Sequence, residues 1–244
     1  MPLGLRNNLS STGMVTPGIV TDNLVLKHKY DAGAVVPVSD GAADINADAA
    51  ANEYIDVGTI AISTNDITIS AWVFVTAFGA NNAAYFANRE SGGTNLGVTL
   101  RNDGTSSQFE TIFDYGGGAY TCQSGTVNTH QWYHLCSVWD RSDKAYLYVD
   151  GVEVDTADIS SKVSTDLSHS TNAFIGKNEG SVEVQAYICN AGYWNAALTQ
   201  PQIKSIMWKN YAGLTSSETT NLVSWWNLSA DANDSHGSNN GTLS

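Results

Sequence analysis

The dipeptide Asp150-Gly151 stands between two runs of alternating side chains, Ala145 to Val149 and Val152 to Val154. Asp and Gly tolerate the positive φ angles of a two-residue hairpin loop, so the flanking runs are expected to pair as antiparallel strands. Just upstream, Trp132 to Trp139 (WYHLCSVW) is rich in aromatic and branched side chains, and the polar segment Asp140 to Lys144 separates it from the hairpin. Such residues suit a pleated, half-buried surface, which gives three consecutive antiparallel strands.

The same pattern recurs along the chain. Strands are expected at 23–33 (NLVLKHKYDAG), 52–58 (NEYIDVG) and 66–75 (DITISAWVFV), the last with Ile67, Ile69, Ala71, Val73 and Val75 on one face and Trp72 and Phe74 on the other. Others are expected at 83–89, 96–102, 109–115, 119–125, 172–177 and 182–194, separated by Gly and Asn. Many short strands with almost no helical periodicity predict an all-β fold: a two-sheet antiparallel sandwich with one core. One helix in the C-terminal half stands apart, with Thr199 as N-cap, Gln202 as its capping-box partner, Pro201 in the first turn and Gly213 as a stop. Its Ile203, Ile206 and Met207 share a face that should cover an edge of the sandwich. The expected organisation is an arm over 1–20, the sandwich over 21–214 and a short strand with a polar tail over 215–244. Asn221-Leu222-Val223 echoes Asn23-Leu24-Val25, and both segments are expected as edge strands.

Of the 244 residues, 42% are hydrophobic and 14% charged, enough apolar material for a core. Eleven basic against 24 acidic side chains give a formal charge of −13, which repels phosphate backbones and anionic lipid, so neither nucleic acid nor membrane is expected as a partner. The first twenty residues contain no apolar run of signal-peptide length, and synthesis in a cytoplasm is expected. Cys122, Cys136 and Cys189 are odd in number and lack zinc-site spacing, which points to buried free thiols.

Five segments taken in order carry a resemblance: Ile69 to Trp72, Trp132 to His134, Leu147 to Gly151, Phe174 to Gly176 and Trp194 to Thr199. Together, over about residues 52 to 210, the sequence resembles the laminin-G-like, concanavalin A-like jelly roll family, which implies a jelly roll sandwich. In that family a segment like LVSWWNLSADANDSHGSNNGT usually opens the domain, whereas here it comes last. The leader, MPLGLRNNLSS with TPGIVTDNLVLKHKYDAG, is similar to jelly roll proteins of tailed bacteriophages, marine ones in particular. That likeness implies a non-enzymatic virion protein made in the host cytoplasm. It would decorate the head or form an appendage by contacts with other virion proteins or with copies of itself.

The alternative is a glycan-binding adhesin that recognises a host surface polysaccharide. Sugar binding needs an aromatic face beside polar groups, and Asp114, Tyr115 and Tyr120 around a glycine tip offer one. Of the adjacent Trp225 and Trp226, one should face inward and the other remain available for a subunit contact. A third reading, a secreted glycoside hydrolase, is disfavoured. The family's catalytic branch alternates Glu, Asp and Glu on one strand, whereas Glu179 and Glu183 here have Ser181 between them. His134 and Cys136 share a strand face at about 7 Å, too far for a nucleophile pair. Asp231, Asn233 and Ser235 alternate as calcium ligands do, but Gly237 comes late and no glutamate closes the loop, so no cofactor is assigned.

Overall fold

In the computed structural model, which describes residues 35–46, 53–79, 82–90, 92, 95–103, 105–180 and 182–244, the alternating runs become fourteen strands among those residues. They are β1 (Ala43–Asn46), β2 (Ile55–Asp56), β3 (Ile67–Ala77), β4 (Ala84–Arg89), β5 (Leu96–Asp103), β6 (Gln108–Tyr115), β7 (Ala119–Gln123), β8 (Trp132–Trp139), β9 (Lys144–Val149), β10 (Val152–Asp158), β11 (Phe174–Ile175), β12 (Gln185–Trp194), β13 (Leu222–Trp226) and β14 (Thr242–Leu243). One α-helix, α1 (Gln200–Ile206), lies between β12 and β13. The expected arm over 1–20 and the expected strand at 23–33, with its Asn23-Leu24-Val25, lie outside the described residues.

The strands form two seven-stranded antiparallel sheets. Sheet one runs β1, β12, β3, β8, β9, β10, with β13 sharing an edge of β12 with β1. Sheet two runs β14, β2, β11, β4, β5, β6, β7. The fold is the expected all-β jelly roll sandwich. Period-two alternation sets its layers: Ile67, Ile69, Ala71, Val73 and Val75 of β3 all join the main core between the sheets. Each such fully buried Ile or Val side chain stabilises by about 2 kcal/mol, and Ala71 by less.

Because a strand has two faces, β3 also presents Thr68, Ser70, Trp72 and Phe74 outward from sheet one. A second, smaller cluster forms there, where Ile203 and Ile206 of α1 pack on Cys136, Val138, Tyr148, Trp194, Leu198, Leu222 and Trp225. The Thr199 backbone N–H donates to Gln202 Oε1 at 2.9 Å, the expected capping partner. The helix stops at Ile206, well short of Gly213. The carbonyl of Met207 accepts from the buried Trp72 indole at 2.8 Å, and Asn210 starts a separate 3-10 turn over Tyr211–Gly213.

The expected strand and polar tail over 215–244 are both built into the sheets. β13 pairs with β12 in sheet one and β14 with β2 in sheet two. Between them Asp234 accepts backbone N–H groups from Trp225, His236, Gly237 and Asn239 at 2.9 to 3.0 Å. Trp226 packs against Phe86 in the main core and Trp225 against Trp194 under α1. The expectation that one of this pair stays at the surface is therefore corrected: both are buried, since α1 covers the outward face that alternation alone would leave open. Leu222 and Val223 do form an edge strand. β2 is confined to Ile55–Asp56, after which Asp56 Oδ1 accepts from Gly58 N at 2.9 Å, Gly58 takes φ +72°, and the pairing continues as irregular bonds to Ala173.

Candidate functional site

Asp114, Tyr115 and Tyr120 are not brought onto one face. Register pairs Phe113 with Tyr120 and Asp114 with Ala119, so the tyrosines follow Phe113 toward the inner face while Asp114 points outward from sheet two. Both tyrosines pack against the margin of the main core, with ring centres 5.4 Å apart. One face of Tyr115 carries the Lys162 ammonium at 4.1 Å from its centroid. The loop bearing Lys162 is fixed by the buried Arg141, whose Nη2 donates to the carbonyls of Lys162 and Thr165 at 2.7 and 2.6 Å. The glycine tip between the two tyrosines is thus anchored at its root.

On the outer face of sheet two, Asp114 belongs to an ionic row. Arg89 Nε donates to Asp114 Oδ2 at 2.5 Å and its Nη1 to Glu179, while Arg101 pairs with Glu110 at 2.8 Å. Burial pushes the Asp114 pKa up against the pull of Arg89. Glu179 is committed to Arg89, and Glu183 forms an isolated bridge with Lys177. The two glutamates are thus engaged in different contacts. His134 is buried, which pushes its pKa down to about 3; its Nε2 meets Ser70 Oγ at 2.8 Å and its ring lies against Trp72. Cys136, its neighbour on the same face, belongs to the cluster under α1. In the loop weighed for calcium, Asp231 accepts from the backbone and side-chain amides of Asn233 at 3.0 and 2.7 Å.

A different surface assembles aromatic rings. Register sets Phe74 of β3 between Trp132 of β8 and Tyr187 of β12. The ring centres are 5.6 and 5.9 Å apart, and both pairs meet edge to face. The rings point outward from sheet one but beyond the reach of α1. The adjoining row, Trp72, His134 and Cys189, is buried, whereas Phe74, Trp132 and Tyr187 are only half-buried. Polar groups flank the rings. His130 is exposed and meets Phe74 at 6.4 Å, Asp44 is exposed and stands opposite Tyr187, and Gln185 lies two residues along β12. Beside the row, the indole of Trp208 is 50% exposed with its centre 6.2 Å from that of Trp72. Reading the sequence for loops missed this row. Its signal was present: aromatic side chains occupy outward positions of β3 and β8 where a solvated strand would carry polar ones.

The three rings and their polar surround offer apolar faces for C–H surface and hydrogen-bonding groups at the margin, the combination that holds a sugar. Among the described residues no helix is long and apolar enough to cross a membrane. Residues 48–204 match the family model described as the concanavalin A-like lectin/glucanases superfamily. No curated protein matches the chain. Among solved structures, a candidate carbohydrate-binding protein of Bacteroides ovatus is similar with a TM-score of 0.60 and 19% identity, over 79% of this chain and 56% of that one. This chain therefore spans little more than half of that protein. A heptameric SAP-like pentraxin from Limulus polyphemus is similar with a TM-score of 0.52 and 14% identity, over 66% of this chain and 78% of that one. Domain 4 of a GH43 extracellular arabinanase from Geobacillus stearothermophilus, solved with arabinotriose, gives a TM-score of 0.50 and 18% identity, over 64% and 71%. At these identities the likeness is one of fold.

Proposed function

Because the chain belongs to the concanavalin A-like lectin/glucanases superfamily, we propose that it is a glycan-binding module that acts by recognition without turnover. The observation that carries this reading is the half-buried aromatic row Tyr187, Phe74 and Trp132, with His130, Gln185 and Asp44 around it. Pyranose or furanose C–H faces would stack on the rings while hydroxyls exchange hydrogen bonds with the polar rim. A formal charge of −13 disfavours anionic polysaccharide and leaves neutral glycans as the ligand class. Support also comes from the Bacteroides ovatus protein and the arabinotriose complex, whose own descriptions concern carbohydrate.

Affinity electrophoresis through neutral polysaccharides tests this. Retardation is expected for the native chain and is expected to weaken about tenfold in Trp132→Ala, the loss of one good aromatic contact. Tyr115→Ala should bind nearly as the native chain does, because Lys162 already occupies one face of that ring. If Tyr115→Ala abolishes binding and Trp132→Ala does not, the site is at the end of the sandwich, with Tyr115 and Tyr120. A virion location for such a module is carried by the leader resemblance, whose residues lie outside those described, and mass spectrometry of purified particles checks it.

A further inference from the structure

We infer that the aromatic face selects single, soluble glycan chains and rejects the flat face of an ordered polysaccharide; this rests on the glycan-binding reading above. An ordered polysaccharide presents its C–H faces in one plane, and aromatic rings engage such a plane together only when they are themselves coplanar. Here Phe74 is tilted 62° from Trp132 and 60° from Tyr187, so no one plane lies flat on all three. A chain that turns between successive sugars can offer a face to each ring in turn. The tilt is built in, since the rings rise from directly paired positions on three adjacent strands and hold one another edge to face.

A second observation points the same way. The row lies on the sheet itself, whereas the next row along β3 is roofed by the end of α1. The foot of that roof is Trp208, 50% exposed on a backbone fixed from both sides. On one side the Met207 carbonyl accepts from the Trp72 indole at 2.8 Å, and on the other Lys209 Nζ binds both oxygens of Glu218 at 2.6 and 2.8 Å. Trp208 thus offers a half-exposed indole beside Trp72, one outward row along β3 from the rings. A single chain lying on the rings can take a lateral contact from that indole, whereas a flat surface cannot follow rings of different tilt.

The experiment uses the full chain and two sets of probes. Soluble arabinan, xylan, laminarin and galactomannan are tested by affinity electrophoresis, and microcrystalline cellulose and α-chitin by sedimentation depletion. Binding is expected with one or more soluble chains and not with either crystalline solid. Trp208→Ala, a half-exposed site that leaves the fold intact, is expected to weaken soluble binding about tenfold with an unchanged melting temperature. Depletion by cellulose or chitin as strong as retardation by a soluble chain overturns the inference while leaving the glycan reading in place. Unchanged soluble affinity in Trp208→Ala overturns it as well, because a single chain laid along this face past Phe74 and Trp72 would touch that indole. If no probe of either set binds, the glycan reading fails first and takes this inference with it.

Discussion

The Glu218 carboxylate ties the end of α1 to the chain that follows it. It accepts from Lys209 Nζ, from Ser205 Oγ at 2.6 Å and from the Thr215 backbone and hydroxyl at 2.7 and 2.9 Å. Burial alone would raise its pKa, but these donors outweigh it and bring the value down to about 2. An unfolded glutamate titrates near about 4.3. A carboxyl whose folded pKa lies below its unfolded one contributes stability above the unfolded value and loses it as pH falls through the folded one. In urea melts the native chain should therefore lose stability between about pH 4 and pH 2 more steeply than Glu218→Gln, which at neutral pH should already be about 2 kcal/mol less stable. Parallel pH profiles would remove Glu218 from this role. Gly192 is decided by contact of another kind: a Cβ there would lie 2.6 Å from the Trp194 ring and 2.8 Å from Trp225. Gly192→Ala must displace a buried indole and should cost about 1 to 3 kcal/mol, visible as a lowered melting temperature. Neither role could be read from the sequence, where Glu218 sits in a polar stretch and Gly192 in a strand, because the partners of each come from separate elements.

At the level of elements, the β9 to β10 hairpin was the most legible part of the chain. Asp150 and Gly151 adopt φ +51° and +73°, and Val149 pairs with Val152 as the dipeptide demands. What the dipeptide did not reveal is that the turn docks on the helix. The Gly151 carbonyl accepts from Gln200 Nε2 at 3.0 Å, and a Cβ at Gly151 would lie 2.9 Å from Lys204 and 3.2 Å from Met207. Gly151→Ala combines a strained φ with that crowding and should lower stability by about 2 kcal/mol. Gly125→Ala, where nothing lies within 4 Å, serves as the control and should change stability little. Equal effects at the two glycines would argue against a docked turn. The helix itself was legible at its start, where Thr199 and Gln202 are neighbours in sequence, and illegible at its end. There the deciding bond comes from Trp72 of β3, 135 residues away.

For the whole molecule, the last thirty residues close both sheets, β13 against β12 and β14 against β2, and place Trp225 and Trp226 in the two apolar clusters. A chain ending at Leu214 should fail to fold cooperatively, checked by the loss of a sharp thermal transition and of near-ultraviolet circular dichroism. A truncated chain that melts as the full one does would show that these residues are dispensable for the fold. By itself the sequence determined most of the strands, their inner faces and the sandwich, because period-two alternation and turn chemistry act between residues close along the chain; the short β1 and β14, which owe their pairing to β12 and β2, were not legible. It also placed aromatic side chains on outward positions without saying which would stay accessible. Only the tertiary structure decided that α1 roofs Trp72 and Trp225 but stops short of Phe74, Trp132 and Tyr187, and that Tyr115 and Tyr120 turn inward from Asp114. Accessibility depends on which distant element lies over a face, and that is set by packing between segments far apart in sequence.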